Sequence, residues 1–418
     1  MAIYRAPKIS KTPTEWLKLI AWRLIFPPIF ILDILKFTFN ALFGKFLGEK
    51  ILLAQQSDYQ TTYEKDYKPA SNSPNIEWES HTIILENGAE IDTREMKHIS
   101  QKDKSNAKKE YFIHFAGNAM CYEQNLDNLI QQADEFEFNI ICFNYAGVSH
   151  STGRTNSKSD AVRAGIAQIE RLLAHGVDPE NIYTPGRSLG GGFATLVAEY
   201  FHSRGKKINL FNQSSFSNIT NVVMGSIRKE GSGMDTGHQE GRLGKVLSYL
   251  AWPFVKIALV LTDWEIEAAD AYKKIPDTHK EYMLIRSSKE SRLKMPHITD
   301  DPVITHYSSL HLGLQSERRK QKKAMDHAIR ECQNANSALI TSEINEAVAK
   351  LQAAKKTLKS RKMHVITNPY RDGHNIDPSE LSDRYGNGNA ASMFFRKFVE
   401  RTSQHHEAER SRNHLMNR

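Results

Sequence analysis

From about residue 80 to residue 211 the chain alternates short β-rich apolar runs with stretches of helical spacing, and no other feature constrains the fold as strongly. Residues 81–85, 111–115, 139–144, 181–184 and 207–211 read as strands. Helical patterns fill the intervals at 122–136, 158–175 and 190–203; in the second, Val162, Ile166, Ile169 and Leu172 share one face. Such an order predicts an α/β fold: a mostly parallel central sheet flanked by helices on both sides. Further strands are expected at 281–286 and 363–366, and a helix at about 390–402.

Residues 186–192 read GRSLGGG and lie between a predicted strand and a predicted helix. A G-x-S-x-G turn needs glycine two places before and after the serine, because the strand-to-helix corner is too tight for bulky side chains. At that corner Ser188 would stand above the sheet, with the helix N-terminus aimed at developing negative charge. The alternative reading of Ser188 is a structural turn serine.

On these residues the chain resembles the α/β-hydrolase superfamily. FAGNA (residues 115–119) is similar to the superfamily's HGN-type oxyanion loop, with Ala116 in place of the usual histidine. NYAGVSHSTG (residues 144–153) resembles its YRGxGxSxG segment, with Ala146 in place of arginine. DDPVI (residues 300–304) resembles the segment that supplies the acid, although the spacer from Arg286 is longer than usual, and RDGHNID (residues 371–377) resembles the histidine loop after the last strand. The resemblance implies a Ser188, Asp301, His374 triad, with Asp300 as the alternative acid. It also implies an oxyanion hole from the N–H groups of Asn118 and Leu189. It calls for no metal and no organic cofactor; His297, His306 and His311 cluster near Asp301 without metal-ligand spacing. Asp301 also reads as a helix N-cap, and His374 as a loop residue.

The α/β-hydrolase fold is expected over residues 79–402, with a helical cap at 216–275 and a basic helical insertion at 313–362 before the last strand. A polar tail is expected at 403–418. Residues 1–55 are far more apolar, but Arg23, Asp33, Lys36 and Lys45 interrupt the run and Pro27-Pro28 breaks it. Its uncharged pieces fall short of the ~20 residues a bilayer span requires. Two readings stay open: a membrane-interface anchor, or a hydrophobic collar packed on the catalytic domain.

With 56 Lys and Arg against 48 Asp and Glu, the net charge of +8 favours anionic partners. Together with the apolar cap, it points to a lipid or acylated substrate at an anionic membrane surface. Nucleic acid is disfavoured, because the basic stretch lacks interleaved aromatics. Three well-separated cysteines, Cys121, Cys142 and Cys332, suit a reducing environment. At whole-chain level the layout resembles the SidB class of Legionella secreted effectors, which implies delivery into a host cell. A catalytically silent hydrolase fold serving as a binding module, and an anionic-lipid adaptor, remain the alternatives to an esterase.

Overall fold

The computed structural model describes residues 2–7, 28–55, 73–228, 241–289, 297–299, 304, 307–314, 363–368 and 395–406, with a few isolated positions elsewhere. Its strands are β1 (Ala2–Arg5), β2 (Ile76–Ile84), β3 (Glu90–His98), β4 (Tyr111–His114), β5 (Asn139–Phe143), β6 (Ile182–Arg187), β7 (Asn209–Gln213), β8 (Lys280–Lys289), β9 (His297–Thr299) and β10 (Met363–Asn368). They join in one sheet of order β1-β2-β3-β5-β4-β6-β7-β8-β10, with β9 paired to β8. Among the described strands, the β2/β3, β3/β5 and β8/β9 pairings are antiparallel and the others parallel. The parallel strands from β5 to β10 therefore end on a common edge.

Among the described residues, the helices are α1 (Pro28–Ile51), α2 (Leu126–Phe136), α3 (Lys158–Ala174), α4 (Leu189–His202), α5 (Ile219–Arg228), α6 (Arg242–Leu261), α7 (Ala268–Lys274), α8 (Leu310–Gly313) and α9 (395–406). α3 shows how local chemistry sets a boundary. Ser157 is its N-cap and accepts from the Asp160 N–H, while Asp160 accepts from the Asn156 N–H (3.0 Å). Its predicted face is the one that packs: Ile166, Ile169 and Leu172 are buried and Val162 lies partly so.

Apolar side chains fill both faces of the sheet. One core includes α3, α4 and α7; the other gathers Phe112, Tyr183 and Phe211 beneath α9. There Phe395 packs edge-on to Phe112 (4.6 Å between centroids) and to Phe211 (4.9 Å), the offset geometry that ring quadrupoles favour. α9 runs through residue 406, so the first four residues of the expected polar tail are helical instead. They are held because Thr402 bonds Tyr183 Oη (3.1 Å) and the His406 ring stacks on His279 (5.5 Å).

β3 carries charge into the interior. Glu95 accepts from Arg171 Nη2 of α3 (2.7 Å) and faces His81 Nε2 of β2 (3.2 Å), all three being buried. Burial alone would raise the carboxyl, but the His81 bond and the Arg171 charge hold it down to about 2. Cys121 and Cys142 are buried free thiols; burial, with Glu123 beside it, pushes Cys121 up to about 12.

In the interval assigned to a cap, α5, α6 and α7 occupy the connection from β7 to β8. Residues 8–16, 18–27 and 407–418, most of the 313–362 insertion, and the Gly231–Gly233 stretch lie outside the described residues.

Candidate active site

Ser188 stands at the junction of β6 and α4 with φ 53° and ψ −121°, a conformation sparsely populated for any residue with a Cβ. Its N–H donates to the Gln213 carbonyl of the neighbouring strand (2.9 Å), and its carbonyl accepts from the Gly192 N–H (3.2 Å). These bonds fasten the corner to the sheet on one side and to the first turn of α4 on the other. The side chain is largely buried, at 7 % exposure.

The glycines of the motif serve close approach. A Cβ at Gly186 would lie 2.6 Å from the Gly190 carbonyl oxygen, and a Cβ at Gly190 would overlap the carbonyl oxygen of Phe115. The first turn of α4 thus lies directly against residues 115–116, which lead into the FAGNA loop. Leu189, the first residue of α4, has no intrahelical acceptor for its N–H, as helix geometry requires. The structure therefore brings the Ser188 corner, Leu189 and the loop that carries Asn118 to one edge of the sheet.

The loop is braced from a direction that the sequence did not disclose. Asn118 Oδ1 accepts the N–H of Leu53 (2.8 Å) and the N–H of Ala119 (2.9 Å). Two residues along, Gln55 Nε2 donates to the Thr155 carbonyl (3.0 Å) while its Oε1 accepts the Thr155 N–H (3.0 Å). The chain leaving α1 is thus stitched to both the β4 loop and the β5 loop. No local motif marks Leu53 or Gln55 for this, because the partners lie tens of residues away.

A buried polar cluster holds the β5 loop. Glu123 accepts from Asn144 Nδ2 (3.0 Å) and from Ser149 Oγ (2.7 Å), and Tyr122 Oη donates to Asp92 (2.7 Å). Burial raises the Asp92 carboxyl above its usual range, against the lowering effect of the Tyr122 bond. Glu123 was not singled out from the sequence; it lies in a segment whose helical spacing masked a buried acid. Ala116 and Ala146, at the substituted positions, are buried in the main core.

Asp301, its alternative Asp300, and His374 lie outside the described residues. The segments leading to them are described. β9 doubles back antiparallel along the end of β8, pairing Thr299 with Ser287. Ser287 is four residues past Met283, which pairs with Gln213, itself paired with Arg187 beside Ser188. Within the spacer before Asp301, the described strand β9 thus runs back along β8 toward the Ser188 edge. On the other side, β10 ends at Asn368 on that same edge, six residues before His374. After the DDPVI segment, the Ser308 carbonyl accepts the Ser217 N–H (2.7 Å) and the Leu310 N–H donates to the Ser215 carbonyl (3.0 Å). Among the described residues no cluster of His, Cys, Asp and Glu has the geometry of a metal site.

From β2 to β10, leaving aside β9, the strands follow the order of the α/β-hydrolase sheet, and a serine with φ 53° stands at the β6–α4 corner, the place of the elbow in that fold. The chain has the α/β-hydrolase fold. Residues 6–199 match a protein family described as Chlamydia CHLPS protein (DUF818). Among solved structures the chain is similar to an alpha-beta hydrolase from Vibrio vulnificus, at 14 % identity over 79 % of this chain and 86 % of that one, with a TM-score of 0.45. It is also similar to the esterase Pf2001 of Pyrococcus furiosus, at 14 % identity over 82 % and 99 %, with a TM-score of 0.41. A third is carboxyl esterase 2 of Tuber melanosporum, at 12 % identity over 86 % and 98 %, with a TM-score of 0.44. No curated protein matches the sequence. The fold assignment rests on sheet order and elbow rather than on these distant likenesses.

Proposed function

We propose that this chain is a serine hydrolase that cleaves an ester or thioester of a lipid or acylated substrate. Ser188 is the nucleophile, His374 the base, and Asp301 the acid that orients the imidazole. The observation that carries the reading is the backbone of Ser188 in its place: Ser149 and Ser214 also have positive φ, but of these three serines Ser188 is the one that joins the end of a central parallel strand directly to the first residue of a helix, with φ 53° and ψ −121°. The chain direction at β10 and the β8/β9 hairpin support the choice of His374 and Asp301.

In this reading His374 takes the proton from Ser188 Oγ as the oxygen attacks the acyl carbonyl. The N–H groups of Asn118 and Leu189 receive the oxyanion, aided by the α4 dipole. His374 then protonates the leaving alcohol or thiol. Water, deprotonated by the same imidazole, attacks the acyl-enzyme and releases the acid, returning the proton to Ser188. Secretion into a host cell, as the SidB-like layout implies, belongs to the same proposal and rests on layout alone.

The test is covalent labelling by a fluorophosphonate probe. Wild type is expected to label, and Ser188→Ala and His374→Ala to lose the label while keeping the wild-type circular-dichroism spectrum. Labelling that survives in Ser188→Ala overturns the reading by placing the reactive group elsewhere, and folded wild type that never labels overturns it in favour of a silent binding module.

A further inference from the structure

The two longest described helices turn apolar side chains to solvent. Among the described side chains, α6 bears eight large hydrophobic residues that are exposed and α1 bears six, among them Phe37 at 78 % and Phe254 at 75 % exposure. The helices pack against each other. Each is fixed to the core by its opposite face. On α1, a Cβ at Gly48 would stand 2.7 Å from the Thr155 carbonyl oxygen, and Trp264 Nε1–H donates to the Gly44 carbonyl (3.3 Å). On α6, the buried Ser248 hydroxyl accepts from Arg228 Nε (2.8 Å), and Lys256 pairs with Glu265 (2.9 Å) and Glu267 (2.8 Å). Neighbouring helices with their inner faces occupied look outward together. The resulting surface is on the order of 1,000 Å² of apolar area, against the 300–600 Å² usual for a monomer's largest patch.

We infer that the outer faces of α1 and α6 form one docking surface for a lipid bilayer carrying anionic headgroups. Charge selects this occupant over a second protein. The exposed charged side chains of the two helices are all cations, Lys45, Lys50, Arg242 and Lys245, while Asp33 and Glu49 are half-buried and Glu49 is paired with Arg154 (2.8 Å). α6 contains no acidic residue. Tyr249 and Trp252, both exposed on α6, provide the amphipathic rings that settle at headgroup depth.

The surface lies along the bilayer rather than through it. Among the described helices α6 is long and apolar enough to cross a membrane, yet the Arg228–Ser248 bond and the Lys256 pairs fasten it to the core along its length. Withdrawing those groups into hydrocarbon would leave charge unpaired, at a cost of several kcal/mol each. Rigid attachment therefore presents the side of the helix. The inference does not depend on chemistry at Ser188.

The test is co-sedimentation of the full 418-residue chain with vesicles of phosphatidylcholine, with and without phosphatidylserine. Wild type is expected to bind the phosphatidylserine vesicles, with binding that weakens as salt rises. Leu250→Glu with Phe254→Glu removes two exposed apolar side chains that would enter the bilayer and is expected to lower binding about 100-fold or more. Lys45→Gln with Arg242→Gln is expected to lower it roughly 20-fold at low salt, about 5-fold per cation. Both positions of each pair are exposed, and an unchanged melting temperature verifies folding. Ser188→Ala is expected to bind as wild type does, so loss of catalysis and loss of docking read separately. Binding unaffected by either pair overturns the inference. So does a wild type that ignores vesicles, whether it sediments as a monomer or as a dimer that Leu250→Glu with Phe254→Glu dissociates.

Discussion

Gly190→Ala probes the contact on which the elbow depends. The new Cβ would overlap the Phe115 carbonyl oxygen and lie 2.6 Å from that of Ala116, where about 3.3 Å is a comfortable C···O approach. Neither acceptor is a flexible side chain. Phe115 is bridged to Gly186, and its N–H donates to the Pro185 carbonyl (3.4 Å), so the sheet holds one side while α4 holds the other. Relief requires the helix start and the β4 loop to part by about 1 Å. Overpacking of this kind costs about 1–3 kcal/mol, partly offset by the gain in helix propensity of up to about 1 kcal/mol. Chemical denaturation should therefore report a net loss of about 1–2 kcal/mol. The same parting separates Leu189 from Asn118, and a misplacement of about 1 Å costs roughly 100-fold in rate. Fluorophosphonate labelling should slow accordingly. Gly176→Ala is the control: its φ of +83° brings strain of about 1 kcal/mol, but nothing lies within 4 Å, and labelling should keep its wild-type rate. A Gly190→Ala protein with wild-type stability and labelling would refute the close-contact reasoning.

Two further perturbations bear on strain and on acid. Ser188→Gly should raise stability by about 1 kcal/mol, because glycine removes the cost of a φ of 53°, whereas Ser188→Ala keeps a Cβ and should not; thermal melts of the two side by side decide it. His279 is 2 % exposed, and burial, followed by the charges of His202 and His406, holds it down at about 3, against ~6.5 unfolded. The unfolded chain therefore takes up a proton below pH ~6.5 that the folded chain refuses until about pH 3. The contribution is complete above pH ~6.5 and falls by about 1.4 kcal/mol per pH unit below it, or about 2 kcal/mol by pH 5. Urea melts at pH 7 and pH 5 should show a smaller acid loss in His279→Phe than in wild type; an equal loss would refute the assignment.

How much was legible follows from where each element finds its partners. α3 and α4 announced themselves through periodic apolar residues, and the elbow through glycines that the corner cannot do without. β3 did not, because Glu90–His98 reads EIDTREMKH, a run of charge and polarity. Its buried Glu95 is paired with Arg171, 76 positions away, and single-strand patterning carries no trace of such pairing. β1 escaped notice because four residues on an edge pair with only one neighbour. At the site, the corner at Ser188 was readable from glycine spacing, and the expected places of Leu189 and the Asn118 loop came from the resemblance. The brace from Leu53 and Gln55 was not, since it arises only when α1 folds back across the β4 and β5 loops. The strand β9 inside the spacer before Asp301 went unread, because three residues pairing back onto β8 leave no periodic signal of their own.

The strand order also sets a timetable. β4, β5, β6 and β7, which frame Ser188, have all been synthesised by residue 213, whereas β10 begins at residue 363 and joins the sheet through β8. At elongation rates of about 5–20 residues per second, that gap separates the synthesis of the strands around Ser188 from that of β10 by roughly 8–30 seconds. A nascent chain on the ribosome thus carries the β6–α4 corner well before β10 has been made.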